Sequence, residues 1–95
     1  MYMNDNDIHV ALFGASINPR LPVIDLHAAP DVHTAMEKFD RDFDRLLRSG
    51  ARAGRIIYGL GEGVLAREIH KRLKTNQQIL GWQEEESGGS CVVLF

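Results

Sequence analysis

The stretch Tyr58-Gly59-Leu60-Gly61-Glu62-Gly63 limits what this chain can fold into more than any other. It follows the run Arg55-Ile56-Ile57 and leads into a helical pattern that starts at Val64. A strand that stops at alternating glycines and passes into a helix makes a shaped loop, because glycine accepts positive φ and lets a ligand approach the backbone closely. The first N–H groups of the helix have no intrahelical partners and so point outward as an anion site. The spacing G-x-G-x-G is not the dinucleotide fingerprint G-x-G-x-x-G, and no long Rossmann sheet follows it.

Around this loop the chain reads as alternating strands and helices. Residues 1–7 are polar and expected to be loose. The apolar run Ile8 to Phe13 is too short for periodicity to separate strand from helical turn. Gly14, Asn18, Pro19 and Pro22 then break the chain, so residues 1–20 are expected to form a partly disordered, extended arm ahead of a domain at residues 21–95. Val23 to Leu26 reads as a strand. Asp31 is a natural N-cap for a helix whose apolar positions, Val32, Ala35, Met36, Phe39, Phe43, Leu46 and Leu47, recur every three or four residues. Its other face carries the i, i+4 pairs Glu37/Arg41, Lys38/Asp42 and Asp44/Arg48, and Gly50 suits its end. Arg55 to Tyr58 is the next strand, and Leu65, Ile69 and Leu73 line a second helix that fades at Thr75-Asn76. Ile79 to Glu84 and Cys91 to Phe95 are strands joined by the turn Glu84 to Gly89, expected to pair as an antiparallel hairpin.

The order β-α-β-α-β-β predicts a two-layer α/β sandwich, a mixed four-stranded sheet with two main helices. Strands joined by a helical crossover run parallel, so the ends of the first two strands share one edge of the sheet, where open α/β sheets bind ligands. Asp25-Leu26-His27 and the glycine loop are therefore expected neighbours.

This pair of motifs, at this placement, resembles the Smr (small MutS-related) domain. That family is typified by L-D-L-H-G ending the first strand and H-G-x-G-x-G after the second. Here they read Ile24-Asp25-Leu26-His27-Ala28 and Tyr58-Gly59-Leu60-Gly61-Glu62-Gly63, and the likeness covers residues 21–95. The resemblance implies a fold similar to the C-terminal domain of a bacterial translation initiation factor. It also implies nucleic-acid binding and nicking endonuclease activity on DNA or RNA. The family's motif aspartate and histidine fall on Asp25 and His27, and its loop glycines on Gly59, Gly61 and Gly63. Departures are Ala28 for the motif glycine and Tyr58 for the second motif's histidine. Leu60 and Glu62 stand where a basic residue and a threonine are common, and Ala66 stands beside Arg67 where an arginine is common. The alternative is a catalytically inactive module of the same fold that binds a protein partner.

Cleaving a phosphodiester needs an activated nucleophile, a protonated leaving oxygen and stabilised charge. Histidine exchanges protons near neutrality, so His27 is the candidate acid or base, with Asp25 fixing its tautomer or holding Mg²⁺ or Mn²⁺. Asp25 and His27 can equally be read as satisfying backbone groups at a strand end. Tyr58 is a candidate phosphate or base contact, although a strand-end tyrosine is more commonly half-buried. Trp82 reads as core or rim packing. His9, His33 and His70 show no metal-ligand spacing with Cys91.

Charge limits where a nucleic acid can bind. The net charge is −2, so phosphate contacts must come from a local cluster. Arg67, Lys71, Arg72 and Lys74, with only Glu68 among them, are that cluster. The single cysteine, the lack of a membrane-spanning stretch and a start, Met1-Tyr2-Met3-Asn4-Asp5, unlike a signal peptide lead to an expectation of the cytoplasm and no membrane partner.

Overall fold

A computed structural model describes residues 3–95. The elements are α1 (Asp5–Ser16), β1 (Val23–Asp25), α2 (Val32–Arg48), β2 (Ala53–Ile57), α3 (Val64–Thr75), β3 (Gly81–Glu84) and β4 (Ser90–Leu94). The four strands form one mixed sheet in the order β1-β2-β4-β3. β1 and β2 are parallel, with Ile24 beside Ile56, and the closing hairpin is antiparallel, as the sequence predicts. β4 folds back between its hairpin partner and β2, placing Cys91 beside Ile56.

Strand alternation sorts side chains to two faces. Ile24, Ile56, Cys91 and Val93 share one face with Leu26 and Tyr58 and meet Ala35, Phe39 and Phe43 of α2 and Ile69 and Leu73 of α3. This is the main core. Phe39 and Phe43 stack at 4.9 Å, and Phe95 meets Phe43 edge-on at 5.4 Å. Each buried phenylalanine contributes roughly 2–3 kcal/mol of apolar transfer. Asp31 caps α2 by accepting the Thr34 N–H at 2.7 Å. Gly50, at φ +81°, closes it as the helix pattern requires.

The other sheet face corrects the reading of the first twenty residues. The stretch expected to be an extended arm is mostly α1, a helix; of the part expected to be loose, residues 1 and 2 lie outside the described residues. Asn4 starts α1 by accepting the Asp7 N–H at 2.8 Å, and Asp5 and Asp7 suit the positive end of the helix dipole. Its inner stripe, Ile8, Ala11, Leu12 and Ala15, packs on Leu21, Val92 and Leu94. Gly81 makes room for it, since an added Cβ there would stand 2.7 Å from Ile8 Cγ2. The Arg55 fork donates to both Glu85 carboxylate oxygens, at 2.7 and 3.0 Å, and to the Ser16 carbonyl at 2.7 Å. A strand residue thus caps a helix that has no cation in its own last turn. Val10, Phe13 and Ile17 remain 64–66% exposed. Apolar residues on both sides of α1 erase the stripe that would have announced it.

Candidate functional site

The site begins where β1 ends. The Asp25 carboxylate accepts the backbone N–H of His27 at 3.1 Å and its ring Nδ1–H at 2.5 Å. An ionised carboxylate can only accept, so Nδ1 carries the proton and Nε2 is the nitrogen left with a lone pair in the neutral ring. These bonds, the ring contact first and the backbone contact second, hold the Asp25 carboxyl below the usual carboxylate range. Both side chains are accessible, 59% for His27 and 45% for Asp25. Lys38 reaches down from α2 and donates to the Asp25 carbonyl at 2.7 Å. The sequence suggests Lys38 only as the partner of Asp42, a contact stretched to 4.0 Å. Its seat over the strand exit is set by the packing of α2 on β1, which no local pattern records.

The Leu26 N–H donates to the Ile57 carbonyl at 2.7 Å, carrying the parallel ladder past β1 and fixing the two strand exits side by side. Gly59 follows at φ +85°, and a Cβ built on it would lie 3.4 Å from the Cβ of His27. His27 and the glycine loop are neighbours, as the crossover argument requires. The loop amides are divided, however. The N–H groups of Tyr58 and Gly59 both donate to the Gly89 carbonyl at 2.9 Å, so the Gly59 amide is committed to the hairpin turn. α3 starts at Gly63, φ +82°, with no side-chain cap, and its first intrahelical bond runs from the Arg67 N–H to the Gly63 carbonyl. The N–H groups of Val64, Leu65 and Ala66 therefore lack intrahelical acceptors.

Two depressions flank the loop. One, about 400 Å³, is bordered by His27, Ile57, Gly59, Leu60 and the turn residues Ser87, Gly89 and Ser90. The other, about 240 Å³, contains Gly61, Glu62 and Gly63 and the start of α3. Gly59 borders both. Gly59 is thus shared by the depression that the imidazole borders and the one that the start of α3 borders. The turn at Ser87–Ser90 joins the site from far along the chain. Its serines and glycines read in sequence only as a hairpin tip.

Tyr58, expected among the phosphate contacts, borders the depression at Gly61 to Gly63 but keeps only 5% of its surface exposed. It shares the inward face with Ile56, is buried, and its phenol oxygen hydrogen-bonds His70 Nε2 at 3.0 Å. His70 stacks on Trp82 with ring centres 4.5 Å apart, which accounts for Trp82 as packing. Burial, the largest cause, raises the phenol's pKa above its ordinary value. Of the four cations on α3, Arg67, Lys71 and Lys74 recur at i, i+4 and i+7 on the outer face. Lys71 also meets Glu68 at 3.2 Å. Arg72 leaves that face and pairs with Asp40, tying α3 to α2. Among the described residues, no group of three or more His, Cys, Asp or Glu side chains is arranged to hold a metal ion. No helix there is long and apolar enough to cross a membrane.

The Smr domain model matches residues 24–95. An Endonuclease MutS2 of Thermomicrobium roseum is 30% identical over 82 residues, covering 83% of this chain and 10% of that protein. An Endonuclease MutS2 of Maridesulfovibrio salexigens is 39% identical over 57 residues, covering 58% of this chain and 7% of that protein. The chain therefore spans a tenth or less of the length of these curated relatives. The crystal structure of the Smr domain of Thermus thermophilus MutS2 superposes with a TM-score of 0.68 at 22% identity, over 78% of this chain and 96% of that one, a likeness of fold. From its first strand to its last residue, this chain belongs to the Smr domain family.

Proposed function

We propose that this domain binds nucleic acid and cleaves a phosphodiester bond, with His27 as the general acid or base and Asp25 as its orienting partner. One observation carries the reading: an accessible imidazole, its Nδ1 proton held by a carboxylate, stands against the glycine loop. In that tautomer Nε2 takes a proton from the attacking oxygen. The imidazolium so formed is stabilised by the Asp25 carboxylate and can return the proton to a leaving oxygen. Lys38 holds the carbonyl of Asp25 and so braces the turn on which the pair sits. The uncapped amides of α3 and the cations Arg67, Lys71 and Lys74 supply electrostatic attraction for the strand. Family membership and similarity to proteins named Endonuclease MutS2 support the choice of a phosphodiester substrate.

The residues do not fit a resident divalent cation. Asp25 offers one carboxylate, whose Oδ1 already accepts two bonds from His27. In this reading the histidine and the carboxylate move the proton without Mg²⁺ or Mn²⁺. The test is cleavage of supercoiled plasmid and of structured RNA, each with and without those ions. Activity that vanishes in His27→Ala, with cooperative unfolding retained, is the expected result; unchanged cleavage in that variant removes His27 from the chemistry.

A second reading, a protein-interaction module without chemistry, is favoured by Glu62 beside the α3 amides and by the net charge of −2. Absence of DNA or RNA association even at low salt would select it.

A further inference from the structure

We infer that the depression beside His27 is a subsite for a single unpaired nucleobase. This rests on the nucleic-acid reading above and names the part of the strand the site holds. Three separate segments build it: the β1 exit at His27, the β2 exit from Ile57 to Leu60, and the hairpin turn from Ser87 to Ser90. Apart from the imidazole, none of its bordering side chains is ionisable. An anion would need donors, and the Gly59 amide is already given to the Gly89 carbonyl. The surface instead offers two aliphatic side chains, Ile57 and Leu60, and the flat backbone of Gly59 and Gly89, which suit a planar uncharged group.

Leu60 is 73% exposed and leans towards the hairpin tip, its Cδ2 3.7 Å from where a Cβ on Gly88 would be. A base lying on Leu60 removes that apolar surface from water. The rim provides one edge contact. The Ser87 hydroxyl accepts the Gly89 N–H at 3.2 Å and keeps its own proton to donate, whereas the Ser90 hydroxyl is committed to Glu85 at 2.8 Å. A volume of about 400 Å³ holds a base with part of its sugar. A base can lie on Leu60 only with its own face free of the neighbouring base, so the strand is unstacked and unpaired at this point. The second depression, with the α3 amides, also borders Gly59, so it is placed for a phosphate that flanks the base, while the scissile phosphodiester must lie at His27 Nε2.

The test is fluorescence anisotropy at low salt with three labelled probes: a single-stranded oligonucleotide, the same length as blunt duplex, and a single strand of abasic sites. The intact single strand is expected to bind roughly tenfold tighter than either of the others. Leu60→Ser should remove most of that preference and leave duplex affinity unchanged. A methyl NMR titration with adenosine, which carries no phosphate, should shift Ile57 and Leu60, while ribose 5-phosphate should not. Equal binding of intact and abasic strands, or a preference untouched by Leu60→Ser, overturns the subsite alone. Failure of all three probes to bind overturns the nucleic-acid reading itself.

Discussion

Gly59 sits against His27 so closely that a side chain on it would place its Cβ 3.4 Å from the histidine's own, and it does so at φ +85°. Two loop glycines therefore differ in kind. Gly59 is held by contact and by backbone geometry, whereas a Cβ on Gly61 would meet nothing within 4 Å. Gly59→Ala is expected to lower stability by about 1–2 kcal/mol, the cost of an L-residue in that region, and to displace the imidazole. Gly61→Ala should stay within about 0.5 kcal/mol of the parent. Urea unfolding midpoints measure the first effect, and cleavage or binding of the same variants measures the second.

The α3 cations separate in the same way. Arg67 and Lys74 make no ion pair among the described residues, whereas Arg72 is paired with Asp40. Replacing Arg67 or Lys74 by Gln should weaken nucleic-acid association and reduce the slope of log affinity against log salt by roughly one. Arg72→Gln should leave the slope alone and lower thermal stability instead. A salt titration of the three variants distinguishes these outcomes.

Tyr58→Phe removes the hydrogen bond between the phenol oxygen and His70 and leaves the ring in its core position. The expected cost is about 0.5–1.5 kcal/mol of stability, read from denaturant unfolding, with oligonucleotide affinity unchanged. A loss of affinity without loss of stability would return Tyr58 to the surface that binds the strand.

Cys91 is fully buried, and burial, the dominant cause, pushes its thiol up to about 12. A thiol that ionises more readily in the unfolded chain confers stability that is whole below its unfolded pKa of about 8.5 and is lost as pH rises towards the folded value. Melting temperature should therefore fall through this alkaline range, and less steeply in Cys91→Ala. Alkylation of Cys91 in the parent should be seen only under denaturing conditions.

The parts of this fold that were legible from sequence are those in which local pattern and tertiary role agree. Ala35, Phe39 and Phe43 mark the inner face of α2 by spacing alone, and Asp31 and Gly50 mark its ends. Ile56 and Tyr58 are two apart, so the burial of Tyr58 was available from strand alternation once Ile56 was placed in the core. Asp25 and His27 interact within their own turn, and their position beside Gly59 follows from two parallel strands. What stayed hidden depends on contacts between distant segments. α1 carries apolar residues on the side facing the sheet and on the side facing away, so no period of the sequence favours a helix. Lys38 and Ser87 reach the site only because α2 lies over β1 and the hairpin tip lies over the β2 exit.

One carbonyl, that of Gly89, receives two successive amides from the end of β2. The final hairpin is thereby bolted to the loop at its centre, and its tip supplies a wall of the cleft beside the histidine. Lengthening that tip by even a single residue would shift the acceptor off its donors and disturb the cleft from the far end of the sequence, with both signature motifs left intact. For chains of this shape, keeping the two motifs is therefore not enough to keep the pocket: the span between the last two strands must match as well.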